Sequence, residues 1–341
     1  MHLYGPSADR AEKLIGVAGL CLVIELVLFK FLPDISTAVI QHAQSSLASF
    51  NEFQREYLTA GSVHHARFLG NYFLYDLAKL ISSVDHSIDP RLHPLRVAAG
   101  LLTPCYVYIG LHPVLTAERQ FDWRYFLVAY GLAAAIGLYI FYPADAPSLA
   151  FLSVALFCLL NGHLTAALIL TLITGLFRES AFHMVWLVAL WSWCDSSRPV
   201  QQRLGWLAAF ACAFVTEYGV VRYFFPGPVS SAGGVILDPL RLFLDKGLVS
   251  LTTVCSVGLA ALYPIACWVK LRAAGGAADW RIRFFELNCY AFPGWLVFYR
   301  MMNGNLSEFR MLFPALLPCM YGIAYAARRL SSCNGTVTAA H

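Results

Sequence analysis

NEFQREYLTAGSVHHARFLGNYFLYDLAK, Asn51 to Lys79, is the stretch whose reading decides how this chain is arranged. Its second half, continued to Val84, is long enough to cross a bilayer, but Arg67, Asn71, Asp76 and Lys79 interrupt it. Charged side chains inside the hydrocarbon layer are costly. Arg67–Val84 therefore reads as an amphipathic helix lying along the interface. Were it to cross, everything upstream would change sides, and Arg10 and Lys13 would sit outside. The first half gathers Glu52, Glu56, His64, His65 and Arg67. Ionisable groups collected beside apolar helices point to chemistry at a membrane surface.

Composition decides the class. Hydrophobic residues make up 59% of the chain and charged ones 13%, with a mean hydropathy of +0.61. Soluble domains carry roughly 25% charge, so an all-α, polytopic transmembrane bundle is predicted. A chain of 341 residues has room for about ten spans of ~20 residues and for no sizeable soluble domain. Residues 1–341 are expected to form one integral domain. The first span runs from about Lys13 to Leu32 and stops at Pro33 and Asp34. No small-residue cleavage site follows it, so it is expected to stay as an anchor. Residues 34–96 hold no clean span. Apolar runs then fall at Val97–Thr116, Tyr125–Tyr142, Pro147–Asn161, Leu164–Phe177, Ala181–Cys194, Leu204–Phe224, Gly247–Val269, Phe284–Tyr299 and Met311–Ala326. Between two short runs, Asn161-Gly162-His163 is tight enough for an antiparallel helical hairpin.

The placement of Lys and Arg orients such a bundle. With about ten spans and the N-terminus inside, Arg119, Arg124, Arg198, Arg203, Lys270, Arg272, Arg281, Arg283, Arg328 and Arg329 fall on cytoplasmic connectors. The outer face then receives the 34–96 loop, the Arg178-Glu179 turn, the Phe225–Lys246 loop and the Met301–Arg310 loop. There is no nucleic-acid signature and no internal repeat.

Several residues on that face suit chemistry. Glu52 and Glu56, four apart, share a helix face, and either is a candidate general base; the plainer alternative is a solvated helix balanced by Arg55 and Arg67. His64 and His65 are adjacent and point in different directions, which is weak support for a metal. In LFRESAFHMVW, Arg178 and Glu179 read either as an ion pair or as a phosphate-binding arginine with its partner. Arg300, Glu308 and Arg310 flank the last connector, and arginine's planar fork matches phosphate oxygens. Snorkelling at helix ends is the competing account. Glu25, Glu217 and Glu286 are assigned Lys30, Arg222 and Arg283 as partners. Most of the cysteines, including Cys21, Cys105, Cys158, Cys212, Cys255, Cys267, Cys289 and Cys319, lie in apolar runs and read as small hydrophobes. No Cys-x-x-Cys pair or Cys/His zinc spacing occurs.

Taken together the layout resembles the GT-C superfamily of integral membrane glycosyltransferases, which use polyprenyl-phosphate-linked sugars. NEFQREYLTAG is similar to the acidic motif after the first span, with Asn51 where an aspartate is common. HARFLGNYFLYDLAKL is similar to the helix that follows, and LRVAAGLLTPCYVYIGL to the second span. FRESA resembles a basic-acidic pair carried by these enzymes, and SEFRMLFPALLP their late Glu-x-Arg. The resemblance implies an inverting transferase of the inner or plasma membrane. Glu52 or Glu56 would be the base, and His64, His65, Arg67, Arg178, Glu179, Arg300, Glu308 and Arg310 would bind substrate. It implies a lipid-linked sugar donor, a glycan or lipid acceptor and surrounding membrane lipids as partners, and leaves use of a divalent metal open. Two other readings take the same residues: a polysaccharide polymerase joining lipid-linked glycans, and a transporter or flippase that binds an anionic solute without reaction.

Overall fold

The final apolar run of the chain becomes its most enclosed helix. The computed structural model describes residues 6–28, 47–59, 67–84, 93–138, 142–178, 181–225, 251–275, 279–301 and 309–338. Among them are twelve α-helices and no strand: α1 Pro6–Leu26, α2 Phe50–Phe53 running into a π turn at Gln54–Leu58, α3 Phe68–Val84, α4 Pro94–Thr116, α5 Trp123–Leu138, α6 Asp145–Leu160, α7 Leu164–Phe177, α8 Phe182–Cys194, α9 Val200–Phe224, α10 Leu251–Ala274, α11 Trp280–Met301, and α12 Phe313–Thr338 behind a 3-10 turn at Phe309–Leu312. Every predicted apolar run overlaps one of these helices. Four stretches, Pro94–Thr116, Val200–Phe224, Val254–Ala274 and Phe309–Cys333, are long and apolar enough to cross a membrane. Helices α6, α7 and α8 are apolar but shorter, at 16, 14 and 13 residues. The regular structure of the described residues is all helical, and the apolar helices mark a membrane protein.

Helix α12 is buried without a break from Phe313 to Ala327, while α9 exposes most of its length. Lipid is as apolar as leucine, so helices in a bilayer associate through close packing and polar contacts. The α4–α6–α12 contact uses both. At Gly110 of α4 the backbone runs so close to α6 that an added Cβ would lie 3.3 Å from the Ala150 Cα and would strike the Tyr130 hydroxyl. The Ser153 hydroxyl donates to the Gly110 carbonyl at 2.9 Å, and Tyr321 of α12 donates to the Ser153 carbonyl at 2.9 Å. Bonds of this kind contribute about 0.6 kcal/mol each inside a bundle.

Contacts define one end of the bundle. Lys13 donates to the Leu115 carbonyl and pairs with Glu118. Asp122 N donates to Ala324 O at 2.9 Å, Arg329 pairs with Asp279 at 2.6 Å, and Arg281 donates to Leu160 O at 3.0 Å. The Arg198 guanidinium lies against Gly162. The start of α1, the α4–α5, α6–α7, α8–α9 and α10–α11 connections and the far half of α12 therefore share this end. It carries the basic connectors of the sequence.

Two predicted ion pairs are corrected. Glu286 pairs with Arg272 at 3.2 Å, across the α10–α11 hairpin, and not with Arg283 one turn earlier on its own helix. Glu217 does not pair with Arg222: its carboxylate oxygens have no hydrogen-bond partner among the described residues and face Gly175. Five residues along an α-helix rotate a side chain by about 140° from the starting direction, so the two point apart. Lys30, assigned to Glu25, lies outside the described residues.

Candidate functional site

At the opposite end, a short hairpin builds an arginine cluster. Gly162 takes the left-handed backbone (φ 78°) that a tight reversal requires. The flanking helices are of 16 and 14 residues, roughly 24 and 21 Å long, so the start of α6 returns beside the end of α7. Asp145 opens α6, where an acidic side chain complements the helix dipole. Arg178 caps α7 in extended backbone. Arg310 enters from the 3-10 turn before α12.

These three side chains form one assembly. Arg178 donates to Asp145 Oδ1, and Arg310 donates to Oδ2 at 2.7 Å, so each carboxylate oxygen holds one guanidinium. The side chains are only 8%, 10% and 6% exposed for Arg178, Asp145 and Arg310. The Arg310 guanidinium sits 3.6 Å above the centre of the Tyr142 ring, and Arg178 also reaches Met311 Sδ. Two guanidiniums share this one carboxylate, and Arg67 acts on it as well. A cavity of about 20 Å³, lined by Tyr130, Gly137, Tyr142, Asp145, Arg310 and Phe313, adjoins the pair and has room for about one water.

Helices α2 and α3 reach the same place. At Gly70 a Cβ would lie 3.2 Å from Phe177 and 3.3 Å from the Ala144 Cα. The start of α3 is thus wedged between the Tyr142–Asp145 turn and the end of α7. Asn71 Nδ2 donates to the Tyr57 carbonyl at 3.3 Å, and the Tyr57 ring stands edge-on to Tyr142 at 6.4 Å. The two glutamates differ. Ser49 Oγ accepts from Glu52 N at 3.1 Å and lies 3.3 Å from Glu52 Oε2, a Ser-x-x-Glu arrangement that starts α2. Glu56 belongs to the π turn, a feature frequent at functional sites, and its Oε1 is buried. Beside the cluster, His183 Nε2 and Tyr299 Oη are 2.6 Å apart, and His183 stacks on Trp295.

Of the sequence candidates, Arg67, Arg178 and Arg310 are brought together, with Glu56 on the adjoining turn and Glu52 in the cap of α2. His64, His65, Glu179 and Glu308 lie outside the described residues, and Arg300 is described only as backbone in the last turn of α11. Sequence reasoning missed Asp145, the residue that organises the cluster. Its signal was an isolated acid opening an apolar run between Pro143 and Pro147, which at membrane depth demands a cation. It also missed that Cys267, Cys289 and Cys319 converge, with sulfurs all within 4.8 Å of one another. No protein-family model, curated protein or solved structure matches this chain.

Chemically, the cluster is a pair of guanidiniums oriented by one carboxylate. Arginine forks bind phosphate or carboxylate in two-point fashion, and here Asp145 is the carboxylate that two of them share.

Proposed function

We propose that the chain is a membrane glycosyltransferase that moves a sugar from a polyprenyl-phosphate carrier to a glycan or lipid acceptor. The observation that carries this reading is the buried Arg178–Asp145–Arg310 assembly, two guanidinium forks held on one carboxylate, next to the turn that bears Glu56. In this mechanism Glu56 accepts the proton of the acceptor hydroxyl, whose oxygen attacks the anomeric carbon. The bond from that carbon to the phosphate oxygen breaks, and its electron pair leaves on the lipid phosphate. Arg178 and Arg310 stabilise the charge that grows there, where preorganised donors contribute most. Glu52 serves the helix cap. Purified protein incubated with radiolabelled polyprenyl-phosphate sugars should transfer label to an acceptor; movement of the intact carrier across vesicles without transfer would favour a flippase.

Substitution of Arg310 by Lys keeps the charge and removes the fork, so donor binding should weaken by about 1.5–3 kcal/mol, the worth of a hydrogen bond to a charged group, with the fold retained. Binding of a labelled donor to the detergent-purified variant checks this, and wild-type affinity would reduce Arg310 to a structural partner of Asp145.

The same reading places the chain in about ten spans, with the basic end cytoplasmic and the arginine cluster at the outer surface. In a background without its exposed cysteines, Asn51→Cys should react with an impermeant thiol reagent added from outside intact cells. Ser196→Cys should react only after permeabilisation. The reverse pattern would invert the topology.

A further inference from the structure

Away from the arginine cluster, α10, α11 and α12 each contribute one cysteine to a common point inside the bundle. Cys267 and Cys319 are fully buried, and Cys289 keeps 8% exposure, so one edge of the group reaches the surface of the bundle. All three sulfurs lie within 4.8 Å of one another. The helices are close here: at Gly322 of α12 an added Cβ would lie 3.1 Å from Phe285 and would strike Cys267 Sγ. The positions are 22 and 30 residues apart, so only the fold assembles them.

We propose that Cys267, Cys289 and Cys319 form a three-thiol site for a trivalent thiophilic metalloid, such as arsenic(III). Three sulfur donors, with no His, Asp or Glu joining them among the described residues, make the group soft. Zinc in a closed site takes four ligands, and this group offers three. Charge narrows the choice further. Three thiolates around a divalent ion leave one uncompensated negative charge, and around monovalent copper they leave two; buried among apolar residues, either is strongly penalised. A trivalent centre leaves none.

The exchange balances without a redox step. Arsenous acid enters uncharged; three arsenic–oxygen bonds break and three arsenic–sulfur bonds form. Each thiol proton leaves on a departing hydroxide as water, giving three waters and a neutral tris-thiolate. With bonds of roughly 2.3 Å, as for thiolate on zinc, the sulfurs would stand at most about 4 Å apart, so they draw inward by side-chain movements. The site is independent of sugar transfer. Loading it would tie together α11, which ends near Tyr299, and α12, which begins beside Arg310.

The test uses the full chain, purified in detergent under reducing conditions and incubated with sodium arsenite. After free arsenite is removed, elemental analysis should find one arsenic per chain. X-ray absorption at the arsenic edge should show three sulfur neighbours. Cys267→Ala, Cys289→Ala and Cys319→Ala should each reduce retention by at least the roughly tenfold that loss of even an outer-shell partner costs a metal site. The double variant Cys21→Ala/Cys105→Ala, which removes a separate neighbouring pair, should retain arsenic as the wild type does. The absorption measurement needs only the wild type, so it decides even if a variant fails to fold. No retained arsenic, fewer than three sulfur neighbours, loss only in the Cys21/Cys105 variant, or preferential retention of zinc or copper(I) would each overturn the proposal and leave three small apolar side chains packed beside Gly322.

Discussion

Asp145→Ala should cost the protein about 3–5 kcal/mol, the penalty for removing one partner of a buried ion pair. Both carboxylate oxygens are engaged, one by Arg178 and one by Arg310, and both arginine side chains are more than nine-tenths buried. Deletion of the carboxylate removes the negative charge that stands between two buried guanidiniums. Asp145→Asn keeps an acceptor and loses the charge, so it should fall between alanine and the wild type. Arg178→Met should cost less than either, because Asp145 keeps Arg310. Resistance to heat in detergent, measured for all three variants, gives the order. An Asp145→Ala protein as resistant as the wild type would mean that the arginines find water or another partner, and the site would lose its organising residue.

This dependence on Asp145 shows what the sequence could and could not disclose. Apolar runs announce helices because a bilayer demands that backbone groups be satisfied within the segment, and the Asn161-Gly162-His163 reversal was legible as a hairpin. Arg178 and Arg310 could be singled out as costly charges near apolar helices. Their partner could not, because Asp145 stands 33 positions before Arg178 and 165 before Arg310. Only the similar lengths of α6 and α7, 16 and 14 residues, bring it beside Arg178. The burial of α12 was hidden for a different reason: a helix that is apolar all round looks the same facing lipid or facing protein. The likeness of Glu52 and Glu56 in sequence also concealed a difference. One follows a serine by three residues and is drawn into its cap, and the other is carried inward by the π turn. The three converging cysteines carried no spacing signal at all.

That difference between the glutamates leads to the second large effect. Under the proposed mechanism Glu56→Gln keeps the shape of the side chain but cannot take the proton, and a general base contributes typically ~10²–10⁴-fold to rate. Glu52→Gln should instead weaken the start of α2 by about 1 kcal/mol or less, the usual scale of a cap, and leave turnover within a few-fold. The most direct measurement is therefore the rate of sugar transfer from a radiolabelled polyprenyl-phosphate sugar by wild type, Glu56→Gln and Glu52→Gln, with donor binding measured on the same preparations. The account predicts that Glu56→Gln alone loses transfer by about two to four orders of magnitude while still binding donor. Transfer by Glu56→Gln at the wild-type rate, or no transfer by the wild type from any such donor, would contradict it.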